Sequence, residues 1–203
     1  MPREKEKLTM GICRKCGKKS ILVHSKSDGL CFKCSDEVIR AEVETQVRSL
    51  NSLVASVIPD QTFSILGVAY WNTLKSRVSD GFGKLIFSAL ISSIALSLPK
   101  EHHIGVLGVS DEKLYVIDFG MVTGESIAPK ELREAIVRQR HGQKAPLLDS
   151  APLKTLTASC NAQKGVLSIK GAMSIKATFP KCYTDNNVLR ATEISEAIQK
   201  AQD

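Results

Sequence analysis

The sequence predicts an α+β chain in three parts: a small cysteine-rich ribbon over residues 1–35, a helical linker with an apolar stretch over 36–100, and an antiparallel β domain with a C-terminal helix over 101–203. Three observations carry this reading. Four cysteines, Cys13, Cys16, Cys31 and Cys34, cluster near the N-terminus. A helix-periodic segment follows and stops at Pro59. Beyond residue 104, short β-branched runs alternate with turn residues up to one last amphipathic segment. With 203 residues and 43% hydrophobic content, the chain can bury a sizeable core and still carry a small appendage.

Cys13-Arg-Lys-Cys16 and Cys31-Phe-Lys-Cys34 are two C-x-x-C knuckles with fourteen residues between them. Each knuckle aims two sulfurs at one point, and four thiolates complete the tetrahedral shell of a structural Zn²⁺ site. A segment this short cannot build its own core, so the ion would supply its folding energy. Two disulfides, four free thiols, an iron–sulfur cluster and a redox dithiol are alternatives that the spacing ranks lower. Gly17 frees the backbone at the exit of the first turn, and Ser27-Asp28-Gly29 provides a turn within the ribbon. His24 is read as packed or solvated, because four cysteines already fill the shell. Cys160 and Cys182 lie in apolar, strand-like contexts and read as buried free thiols.

Charge is concentrated in the same segment. Residues 1–34 hold nine Lys/Arg against three acids, or +6 of the net +7. Lys15, Lys18, Lys19 and Lys33 flank the cysteines, where they favour thiolates and form a positive contact surface. Such a surface suits an anionic partner: an acidic protein, an anionic membrane surface or nucleic acid. Lysines that only solubilise a tiny domain are the plainer alternative. Phe32 is the single aromatic of the ribbon, so base stacking is thinly provided for.

Ser35 reads as an N-cap, with Asp36 and Glu37 in the first turn of a helix expected over 36–58. Its apolar residues Val43, Val47, Leu50, Val54 and Val57 repeat with 4-3-4-3 spacing. That pattern serves either a homodimer seam or packing on the chain's own domain. Residues 62–71 read as a strand or as the start of a helix reaching 79. Residues 82–98 are apolar on nearly every side, and at seventeen residues they reach only the lower limit of a membrane span. A buried core helix is the default, and a transmembrane span and a membrane-inserting hairpin or docking helix are the alternatives. The chain opens on charged residues rather than a signal peptide. Together with a thiolate metal site, that places it in a reducing cytosol, at a membrane periphery if 82–98 meets lipid.

In the C-terminal half, residues 105–110 and 114–119 form a hairpin about a turn at 111–113. A charged helix follows Pro129 and ends near His141-Gly142. Pro146 and Pro152 bracket a loop. Strands follow at 153–160, 165–169 and 173–179, with turns at 161–165 and 170–171. A final helix over 186–201 carries Val188, Leu189, Ile194 and Ile198 on its apolar face.

Gly108-Val-Ser-Asp-Glu-Lys-Leu-Tyr-Val-Ile117 resembles the strand–turn–strand signature of bacterial pleckstrin-homology-like domains. The strands over 153–179 and the helix after them resemble the end of that family's fold. The resemblance implies an antiparallel β domain plugged by its C-terminal helix. It also implies a binding role towards protein, peptide or lipid rather than catalysis. The insertion at 121–150 is longer than a simple hairpin of this family, and residues 82–98 lie outside its minimal domain. The N-terminal part resembles a generic four-cysteine zinc ribbon.

Catalytic signatures are thin. Asp118-Phe119-Gly120 spells a kinase metal motif without the accompanying catalytic loop. Adjacent His102 and His103 point to opposite faces of an extended chain. The expectation is a non-enzymatic binding or adaptor protein with structural zinc, the alternative being nucleic-acid binding through the ribbon.

Overall fold

The computed structural model of the chain describes residues 9–23, 29–72, 101–123, 129–142, 144–181 and 186–202. The ribbon is an antiparallel pair, β1 (Thr9–Ile12) and β2 (Lys19–Val23). The first knuckle is the turn between them. Cys13 N–H donates to Lys18 C=O at 3.0 Å and Gly17 N–H to Cys13 C=O at 2.8 Å. Gly17 sits at φ +69°, in the left-handed region that favours glycine.

The second knuckle is the start of a helix. α1 (Phe32–Arg48) has Cys31 as its N-cap, and Ser35 N–H donates to Cys31 C=O at 2.9 Å. The expected start at Ser35 is therefore four residues late. The reason is local: the Cys31–Cys34 spacing is itself one helical turn, which brings the two sulfurs together while the helix forms. The helix is also shorter than 36–58. It stops at Ser49, whose hydroxyl accepts from Ser52 N–H at 3.4 Å and caps a separate α2 (Leu50–Ala55).

Seven strands form one antiparallel sheet. They are β3 (Ile65–Trp71), β4 (Glu101–Ser110), β5 (Lys113–Thr123), β6 (Leu147–Pro152), β7 (Leu156–Asn161), β8 (Val166–Gly171) and β9 (Ile175–Thr178). Their order is β6-β5-β4-β3-β9-β8-β7. Residues 65–71 thus resolve as a strand, and a central one, so the β unit draws on the segment read as linker. The 105–119 hairpin is present and longer than expected. A register shift lies between His103 and Gly105, where a Cβ on Gly105 would strike the Ile117 carbonyl and Trp71. The loop between Pro146 and Pro152 is instead the edge strand β6. Pro152 is tolerated there because, among the described residues, no strand pairs with that edge. The strand expected at 153–160 opens with a 3-10 turn, Leu153–Thr155, before β7.

Two apolar layers sandwich β3–β5. α3 (Pro129–His141), where the sequence places it, packs with α1 and α2 on one face. Val43 and Val54 of the 4-3-4-3 series are buried here, and Val47, Leu50 and Val57 pack beside them. The face a dimer seam would use is thus covered by the chain's own sheet and α3. On the other face, α4 (Arg190–Lys200) inserts Ala191, Ile194 and Ile198. That cluster joins Ala151 of β6 to Leu156 of β7, the two edges of the sheet. A flat seven-stranded sheet would hold its edges roughly 29 Å apart at ~4.8 Å per strand, whereas the link from Pro152 at the end of β6 to Leu156 at the start of β7 can span only about 14 Å at ~3.5 Å per residue, so the sheet curls around α4. α4 begins at Arg190, after a 3-10 turn Asn187–Leu189, and Leu189 is exposed rather than core. Among the described residues no helix is long and apolar enough to cross a membrane. The apolar stretch 82–98, His24 and Cys182 lie outside the described residues.

Candidate metal centre and its basic rim

The β1–β2 turn and the first turn of α1 bring Cys13, Cys16, Cys31 and Cys34 together, with all four sulfurs within 4.8 Å of one another. Four thiolates at ~2.3 Å from one ion would stand ~3.8 Å apart. Cys16 Sγ and Cys31 Sγ lie 3.9 Å apart, and none of the four is in a disulfide. The donor set and its spacing therefore suit a metal ion. Cys13 and Cys34 are buried, whereas Cys16 is exposed and Cys31 half-buried.

Proton affinities within the cluster are opposed. The Cys31 backbone N–H, followed by that of Cys16, points at the Cys13 sulfur and lowers its pKa to about 6. Burial first, and the neighbouring thiols next, push Cys34 up to about 12. A coordinated cation reverses the second shift, because a metal-bound thiol is deprotonated outright.

The four lysines do not behave alike. All line a depression of about 420 Å³ beside Cys16, Cys31 and Cys34. Lys15 Nζ is held by Glu37 Oε2 at 3.1 Å, which raises the Lys15 pKa and offsets its charge. Lys18, Lys19 and Lys33 are exposed and have no ion-pair partner among the described residues. The glutamate that weakens Lys15 as a contact follows the second knuckle by three residues. The sequence assigns it to a helix first turn rather than to Lys15.

The centre is anchored to the body by residues not singled out as site residues. Phe32 stacks on His141 of α3 with ring centroids 5.3 Å apart, and His141 Nε2 lies 2.8 Å from Asp36 Oδ1. Arg40 bridges Asp36 at 2.8 Å and Glu134 of α3 at 2.6 Å. Arg40, with His141 second, holds the Asp36 carboxyl below the usual carboxylate range. Elsewhere, His102 and His103 diverge as an extended chain requires. His102 Nδ1 meets Asn72 Oδ1 at 2.9 Å, and His103 Nδ1 meets Asp118 Oδ2 at 2.7 Å. Asp118 also accepts from Gly120 N–H at 2.7 Å, which gives the Asp118-Phe119-Gly120 run a role in shaping the strand. Cys160 is half-buried on β7, its sulfur 3.6 Å from Thr192 Oγ1.

Comparison of the chain with protein-family models, with curated proteins and with solved structures finds no match.

Proposed function

We propose that the chain is a non-enzymatic binding module whose metal centre holds structural zinc and presents Lys18, Lys19 and Lys33 to an acidic surface of a protein or an anionic membrane. One observation carries this reading: three exposed lysines without carboxylate partners, among the described residues, surround a four-thiol centre braced against α3. Bracing removes the ordering cost that a loose basic tail would incur on binding. Exposed Ile12, next to the first knuckle, offers apolar contact beside the charge. We further read the seven-stranded sheet as a pleckstrin-homology-like domain. Support comes from the β4–β5 hairpin where the signature lies and from α4 packed inside the wrapped sheet. An acidic protein or membrane is favoured over nucleic acid because the ribbon offers one aromatic, Phe32, for base stacking, and His141 already stacks on it.

The test is binding of the zinc-loaded chain to polyglutamate and to phosphatidylserine vesicles, for the wild type and for Lys18→Glu plus Lys19→Glu. Salt-sensitive binding to either probe that the double variant loses would support the reading. Absence of binding to both would overturn it. DNA binding lost in the same variant, with both other probes ignored, would replace it with the nucleic-acid reading. For the metal, cobalt substitution should give the visible spectrum of a tetrahedral tetrathiolate, and one ion per chain in native mass spectrometry.

A further inference from the structure

A second charged site lies away from the ribbon. β3 pairs with β9 only at Tyr70 and Trp71, which leaves the first part of its edge without a strand neighbour among the described residues. Asn187 takes over at one point, exchanging hydrogen bonds of 2.9 Å with both the N–H and the C=O of Val68. Between this open edge, the α1–α2 break and the start of α4 lies a cleft of about 570 Å³. Arg48, Arg133 and Arg190 reach it from three different helices, and Glu44 is the carboxylate in its lining. Its apolar floor includes Leu50, Phe63 and Leu66.

Glu44 stands between two of the guanidiniums. It is paired with Arg133 and lies 3.6 Å from Arg48, and its carboxyl is held below the ordinary range by Arg133 foremost. Arg190 pairs with Glu193 at 2.5 Å. Three guanidiniums against these two carboxylates leave the cleft positive. Arg133 and Arg190 are 37% and 31% exposed, shielded enough for their charges to count for more than surface charges do, whereas Arg48 at 78% is nearly free.

We propose that this cleft binds a small soluble molecule bearing a phosphoryl group on an apolar body. Glu44 then holds the place of the ligand's anion between Arg48 and Arg133 in the free protein. A phosphoryl group offers acceptors in several directions at once, which suits forked donors converging from three helices, and a phosphomonoester carries about −1.5 to −2 at pH 7. The floor beside the arginines accepts the organic part. The cleft sits at the Ile65 end of β3, opposite the end that leads into residue 73, and is independent of the lysine rim.

The experiment is calorimetric titration of the zinc-loaded chain with phenyl phosphate and with benzoate. Saturable one-to-one binding of phenyl phosphate is expected, with benzoate at least tenfold weaker. Arg133→Gln and Arg190→Gln should each weaken phenyl phosphate binding about tenfold. Arg133→Lys, which keeps charge but not the fork, should weaken it less, and serves if the Gln variant does not fold. Glu44→Gln should strengthen binding several-fold, an outcome that a damaged fold would not produce. Lys18→Glu plus Lys19→Glu should leave it unchanged. Equal affinity for benzoate, weaker binding in Glu44→Gln, or indifference to both arginine variants would overturn the proposal. So would flotation on phosphatidic-acid vesicles that needs Arg133 and Arg190 while phenyl phosphate is ignored.

Discussion

Cys34 and Cys13 are both buried, and they differ in proton affinity because backbone N–H groups point at the Cys13 sulfur whereas burial dominates at Cys34. At pH 7 the metal-free centre keeps the Cys34 proton, and binding zinc must displace it. Titration with Zn²⁺ in weak buffer should therefore release protons, and affinity should fall as pH falls, because thiols that regain protons are lost as ligands. A pH-independent affinity between pH 6 and 8 would exclude coordination by Cys34. Asn187 is the other residue whose role rests on single atoms. Fully buried, it bonds both backbone groups of Val68 and the Pro180 carbonyl at 2.7 Å. Asn187→Ala would leave those groups unpaired, at a cost of about 3 kcal/mol measurable by denaturant unfolding. Neither role is legible from the sequence. Cysteine spacing marks a ligand set but not which thiol keeps its proton, and an asparagine before a helix reads first as a cap.

At the scale of elements, α1 and α3 are joined by apolar contact along Val43 and by ion pairs, with Asp36 at the centre-facing end. The folded-state pKa of Asp36 is lowered, so its contribution is complete above the ordinary carboxylate value of ~3.9 and is lost as pH falls through the lowered value. Asp36→Asn should lower the melting temperature by about 3 °C at pH 7, and the difference should close below pH 4. A difference that persists at pH 2 would mean that shape, not charge, holds the contact. α4 tests the wrapped sheet. Ile194 is fully buried against strands from both halves, so Ile194→Ala should cost about 2–5 kcal/mol. Helix α3 was readable because Pro129, a run of charged residues and Gly142 mark its start, body and end over one contiguous stretch. β3 was not, because a strand and a helix start share its apolar composition. Its partners on β4 lie more than thirty residues further along the chain.

For the whole molecule, the centre is tied to the body through α1, since Cys31 caps this helix, Cys34 lies in its first turn, and its Val43 is buried in the core shared by α3 and the sheet. Stripping the metal should expose amides of the ribbon and of the first turns of α1 to hydrogen exchange, while β7–β9 and α4 keep their protection. Uniform exposure of the chain would show instead that the sheet cannot stand without the ion. Val47→Glu, which places a charge against the sheet, should destabilise the fold and leave the mass by light scattering that of a monomer.

Some features were determined by residues close together in the sequence. The four-cysteine ligand set, the concentration of positive charge around it, the β4–β5 hairpin and the span of α3 all follow from turn chemistry, spacing or composition within one short stretch of chain each. Tertiary structure decided the rest. It settled that Glu37 quiets Lys15, that the 4-3-4-3 face packs into the chain's own core, and that three arginines from separate helices share a cleft. Each of these depends on groups that are distant in sequence or on a choice between two burial partners. Local propensity is silent there, and the larger apolar burial prevails.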